Sequence, residues 1–132
     1  MVILFDRFHF PEDVFEVIFA TNQQKIVAKE LVRFIVDNKS EIGKTEMSQF
    51  ATKLHEGKYE TTIEEEPYRG KKVKLSYNKR QFYDRILTPM KSMGMIDYDL
   101  YKKTYKLSTR LKEDLVKIGD MWDDVFKKSI RQ

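Results

Sequence analysis

Residues 78–96, NKRQFYDRILTPMKSMGMI, decide how this chain is read. Phe82, Ile86, Met90 and Met93 recur at i, i+4, i+8 and i+11, the spacing of one buried helical face. Gly94 stops that helix, and Met95 and Ile96 lead out of it. Pro89 has no amide proton, so it is expected to remove one backbone hydrogen bond and bend the last turn. The opposite face presents Tyr77, Arg80, Gln81, Asp84, Thr88 and Lys91. Arg80 and Asp84 stand at i, i+4 and are expected to pair.

Towards the C-terminus, Met95 to Asp99 and Thr104 to Leu107 read as two short strands with Lys102 and Lys103 near their tip. A final helix runs from about Thr109 to Ile130. Its Leu111, Leu115, Ile118, Trp122 and Val125 are spaced 4, 3, 4, 3, a coiled-coil-like seam. Met121, Phe126 and Ile130 thicken that seam, and Gly119 permits close approach of another backbone. Trp122 is expected to be buried, either between two subunits or against the N-terminal helix of its own chain.

Towards the N-terminus, the period changes to two between Tyr59 and Tyr77, which predicts a β-hairpin, with a charged loop as the alternative. Pro67 to Gly70 supply its turn, and Glu64 to Glu66 would face Lys71, Lys72 and Lys74. Glu46 to His55 form a helix capped by Thr45 and ended by Gly57, with Met47, Phe50, Ala51 and Leu54 inward. Thr21 and Gln24 make a capping-box pattern for a helix reaching about Asn38, with Val27, Leu31, Phe34 and Ile35 as its stripe, widened by Ala28, Val32 and Val36. Pro11, Glu12 and Asp13 predict an earlier helix start, running to about Ala20. Val2 to Phe5 is a short apolar run, read as an edge strand or a tucked arm.

Charge is unevenly spread. From Lys71 to Lys112 there are twelve lysines and arginines against three aspartates, a net +9 in a chain whose total is +4. Such concentration on a helix and hairpin is the footprint of a protein that grips a polyanion, with a solvated lysine-rich face as the plainer reading. At 132 residues and 41% hydrophobic, the chain is long and apolar enough for one folded domain. The absence of cysteine excludes disulfides, thiolate metal sites and thiol nucleophiles. Neither a signal peptide nor a membrane span is legible, so a cytoplasmic location without membrane association is expected. There is no P-loop, GxGxxG or HExxH, and His9 and His55 stand far apart. No enzyme activity, cofactor or metal is expected.

The chain resembles the winged helix-turn-helix superfamily, particularly PadR-like and MarR-like repressors, over roughly residues 23–115. Three pieces carry the resemblance: Gly43 to Met47 as strand and cap, Phe82 to Ile96 as recognition helix and glycine exit, and Tyr105 to Thr109 with Leu111 and Leu115 as the second wing strand entering the last helix. Two departures stand out. Arg110 and Leu111 replace a usual glycine, and about twenty residues separate the second helix from the recognition helix. The resemblance implies an α+β winged helix-turn-helix with an inserted β-hairpin before the recognition helix and a long C-terminal helix. It is divided into an N-terminal arm and helix (1–21), a core (22–108) and a C-terminal dimerisation helix (109–132). It also implies sequence-specific binding of double-stranded DNA as a homodimeric transcriptional regulator. Tyr77, Asn78, Lys79, Arg80, Gln81, Asp84, Thr88, Lys91, Lys102 and Lys103 would contact DNA; Leu111, Leu115, Ile118, Trp122 and Val125 would form the dimer interface. The rival readings are a winged-helix protein–protein module of a transcription or replication assembly, and an RNA- or replication-origin-binding protein.

Overall fold

The computed structural model describes residues 5–63 and 70–131. The chain is α+β. Its helices are α1 (Val14–Ile18), α2 (Asn22–Asp37), α3 (Lys44–His55), α4 (Lys79–Phe82), α5 (Thr88–Ser92) and α6 (Arg110–Ile130), with a π-helical turn (Tyr83–Leu87) joining α4 to α5. Strands β1 (Glu41–Gly43), β4 (Ile96–Asp99) and β5 (Thr104–Leu107) form an antiparallel sheet in the order β1-β5-β4. Strands β2 (Tyr59–Ile63) and β3 (Lys71–Leu75) form a separate hairpin.

The capping box opens α2 as expected. Thr21 Oγ1 accepts from the Gln24 amide at 3.1 Å and Gln24 Oε1 accepts from the Thr21 amide at 3.4 Å. Val36, expected to widen the apolar stripe of α2, is instead 51% exposed. Helix α1 begins later than Pro11 because Asp13 is its N-cap, accepting from the Glu16 amide. For α3 the N-cap is Gly43 and not Thr45, so no side chain caps its first turn. Its end is as expected. Gly57 takes φ +68°, its amide reaches Leu54 O, and the Lys58 amide reaches Lys53 O, a Schellman closure. The same closure ends α5 at Gly94 (φ +80°), where the Gly94 and Met95 amides reach Lys91 O and Met90 O. Here glycine is also required by space: a Cβ would stand 2.9 Å from Arg110 Cβ and 3.2 Å from the Leu111 amide nitrogen.

The hairpin is an ordered ladder, with Tyr59 opposite Leu75, Thr61 opposite Val73 and Ile63 opposite Lys71. The expected turn at Pro67–Tyr68–Arg69 and the pairing of Glu64, Glu65 and Glu66 lie outside the described residues, as do Val2 to Leu4. The acid that faces β3 among the described residues is Glu60, 3.7 Å from Lys72 and 3.8 Å from Lys74. Glu30 of α2, the one buried charged side chain among the described residues, anchors the ribbon. Its carboxylate accepts from Thr61 Oγ1 at 2.9 Å and Tyr59 Oη at 3.3 Å, with Arg33 3.9 Å away. Burial first, and then the Glu30 charge, push the Tyr59 phenol up to about 12.

The core lies between α2, α3, the α4–α5 rod and the three-stranded sheet. Leu31, Ile35, Ile42, Met47, Leu54, Ile86, Met90 and Ile96 are buried in it. Phe50 sits at its aromatic centre, 5.2 Å from Phe34, 5.0 Å from Tyr59 and 5.6 Å from Phe82 between ring centroids.

The rod from Lys79 to Ser92 is helical throughout, but Pro89 acts one turn earlier than a simple bend. The Thr88 amide reaches back five residues to Tyr83 O, so the ladder widens before the residue that cannot donate. One extra residue in that turn rotates the remainder of the rod by about 100°. Leu87 therefore turns inward, and Met93, expected in the core, is 42% exposed at the C-cap.

Candidate nucleic-acid interface

The expected DNA-facing residues divide into three groups. Arg80, Gln81 and Asp84 project from the first turns of the rod, all exposed or nearly so. Arg80 Nε stands 4.0 Å from Asp84 Oδ2, with the two side chains 91% and 68% accessible, so the pair is loose and readily exchanged for another partner. Lys102 and Lys103 are exposed on the β4–β5 turn.

A second group is tied to the protein's own structure. Asn78 caps α4, its Oδ1 accepting from the Gln81 amide at 3.1 Å. Lys79 is half-buried; its Nζ donates to Ser48 Oγ at 3.2 Å and Thr52 Oγ1 at 2.9 Å, clamping α4 onto α3. Thr88 Oγ1 donates to Tyr83 O at 2.8 Å, satisfying the widened π turn. Lys91 leans over the sheet, with Nζ 5.6 Å from the Tyr98 ring centroid and 6.0 Å from that of Tyr105.

Tyr77 requires a correction. It is 8% exposed, and its amide donates to Leu54 O at 2.9 Å. The helix begins only at Lys79, so a helical projection does not apply to Tyr77, which instead fills the space where β3 returns to α3.

The β4–β5 turn is rigidly built. Asp99 Oδ1 accepts from the Tyr101 amide at 2.9 Å and the Lys102 amide at 3.0 Å, and these bonds hold its carboxyl below the usual range. Lys103 takes φ +57°, and its carbonyl accepts from the Lys44 amide at 3.1 Å. The turn is thereby stapled to the start of α3. Its apex exposes Leu100 and Tyr101, the latter almost completely.

Between this turn and α3 runs an open groove of about 890 Å³. Its walls carry Lys44 and Lys53 from α3 and Lys102 and Lys103 from the turn, against the single acid Glu46. Ser48, Gln49 and Thr52 supply neutral donors between the lysines. Lys79 is bonded to Ser48 and Thr52, so the first turn of α4 is anchored against two of the groove's lining residues. The sequence alone does not single out α3 as a wall of this site, although Thr45, Ser48 and Thr52 form a polar stripe at helical spacing. Cations set around neutral donors can hold the phosphates of a nucleic acid and leave Arg80 and Gln81 free to meet bases.

Helix α6 leaves the body at Gly94, where Leu111 packs and its amide donates to Gly94 O at 3.2 Å. Leu111, the buried residue of the helix, packs at the edge of its own chain's core and is not part of the exposed stripe of α6. Leu115, Ile118, Trp122 and Val125 are all exposed, Trp122 by 65%. The alternative in which Trp122 is buried against the N-terminal helix of its own chain is therefore overturned. No helix of the described residues is long and apolar enough to cross a membrane. No family model, curated protein or solved structure matches the chain.

Proposed function

We propose that the chain is a winged helix-turn-helix protein that binds double-stranded DNA sequence-specifically as a dimeric transcriptional regulator. In this reading α3 and the α4–α5 rod are the helix-turn-helix pair, separated by the inserted β2–β3 hairpin, and β4–β5 is the wing. The observation that carries it is the four-lysine groove between α3 and the β4–β5 turn. Lys44, Lys53, Lys102 and Lys103 take phosphates, while Arg80 and Gln81 read base edges from the start of the rod. The exposed apolar stripe of α6 supports the dimer, which would present two rods to successive major grooves.

Competition binding tests the reading, with one labelled duplex challenged by other duplexes, single strands and structured RNA. Duplex DNA is expected to compete best. Arg80→Ala is expected to weaken the preferred duplex by about 1–3 kcal/mol and flatten the preference among duplexes. Equal competition by RNA would move the assignment to an RNA-binding role. Absence of nucleic-acid binding at low salt would leave a protein–protein module.

A further inference from the structure

Two apolar surfaces of the chain stand open, one a projecting stripe and the other a groove. One is the stripe along α6, where Leu115, Ile118, Met121, Trp122, Phe126 and Ile130 are 45–65% exposed. A lone helix of this length is marginal in water, and such a contiguous stripe marks a surface that is covered in use. Its exposed apolar area is roughly 700 Å² per copy, close to what one partner contributes to a standard interface. The other surface is a groove of about 510 Å³ between α1, α2 and the root of α6, lined by Phe15, Val32, Met95, Leu107, Leu111 and Leu115.

We propose that α6 pairs antiparallel with α6 of a second copy, so that Phe126 and Ile130 of each copy fill the groove at the root of the other's helix. This rests on the dimeric reading above and specifies its geometry. Three observations select the arrangement. Antiparallel pairing centred near residue 120 sets Leu115 opposite Val125 and Ile118 opposite Trp122, so the whole stripe is used, and carries the last turn to the groove. Charge agrees: Asp114, on the flank of the stripe, falls towards Lys128 of the second copy on the same flank, twice over by symmetry. Gly119 then has a reason. Nothing lies within 4 Å of where its Cβ would be, so its own chain does not require glycine in the middle of a helix, where it is costly. In this register Gly119 lies one residue from the twofold axis, opposite Met121, and its missing side chain lets the backbones close there. A parallel pair would leave both grooves empty.

The absence of cysteine makes the test clean. Sedimentation first establishes the oligomeric state, and nitroxide labels on Lys128→Cys then report one inter-subunit distance. The antiparallel pair predicts about 25–40 Å, since the labelled positions lie some sixteen residues apart along the axis. It also predicts that a mixture of Asp114→Cys and Lys128→Cys chains forms a mixed disulfide on mild oxidation, which confirms the register. A dimer with labels closer than about 20 Å overturns the antiparallel arrangement and leaves the dimeric regulator standing. A monomer throughout the micromolar range overturns both.

Discussion

Glu30 holds the inserted hairpin to the body, and its removal should loosen that ribbon before anything else. In Glu30→Ala the hydroxyls of Thr61 and Tyr59 lose a charged acceptor at 2.9 and 3.3 Å. Each such bond contributes about 1.5–3 kcal/mol net, and the longer Tyr59 bond belongs at the weak end. Relief of a buried carboxylate offsets part of the loss, and Arg33 is exposed and keeps Thr61 Oγ1 as a partner at 3.3 Å. The net destabilisation is then about 2–3 kcal/mol. Urea titration reads the total, and hydrogen exchange locates it: amides of Tyr59–Ile63 and Lys71–Leu75 should lose protection before those of α2 and α3. Glu30→Gln, which keeps the volume, should lose about half as much. It should also lower the Tyr59 titration from about 12 while leaving it above 10, because burial persists. The raised phenol contributes stability that is full below pH 10 and is lost as pH rises from 10 through about 12, where the unfolded tyrosine ionises first. A loss below about 0.5 kcal/mol, or protection lost evenly across the chain, would refute the anchoring role.

Gly94→Ala should cost about 2–4 kcal/mol, combining a left-handed backbone with a Cβ forced against Arg110 and the Leu111 amide, and thermal unfolding measures it. Trp122→Ala should leave the secondary structure of each chain intact, because the ring is exposed there. It should weaken self-association by about 2–3 kcal/mol, which sedimentation equilibrium reads as tens- to hundred-fold. Lys79→Met should remove the bonds to Ser48 and Thr52 and lower the urea midpoint by the equivalent of about 1–2 kcal/mol, making it a stability change more than a lost DNA contact.

The features legible in the sequence are local ones. Thr21 with Gln24, Gly57, Gly94 and the alternation of Tyr59, Thr61 and Val73 each act within a few residues, through capping, positive φ or strand period, so their elements stand where the spacing puts them. Boundaries fail where two signals compete: Pro11 and Asp13 both mark a helix start, and the side chain able to accept from the Glu16 amide prevails. The inward turn of Leu87 and outward turn of Met93 are illegible because a projection at 3.6 residues per turn does not foresee the extra residue before Pro89. Sequence alone assigns Lys79 to DNA because Ser48 and Thr52 are distant in the chain, and only tertiary packing brings them to its ammonium. The groove is the same kind of case, since Lys44 and Lys103 meet through the β1–β5 pairing. Trp122 does lie on a continuous apolar seam, but a helix wheel cannot say whether a seam faces its own chain or another.

Lys44, Lys53, Lys102 and Lys103 are proposed to form a phosphate-binding surface for duplex DNA, and the salt dependence of duplex affinity is the test of that surface. If four lysines and Arg80 from each of two copies displace counterions, log K against log salt should fall with a slope between about −5 and −9. Replacing Lys102 and Lys103 by Ala should make it shallower by roughly 2 for each subunit bound, with all duplexes affected alike. A slope near zero, or one unchanged by removing both lysines, would contradict the assignment.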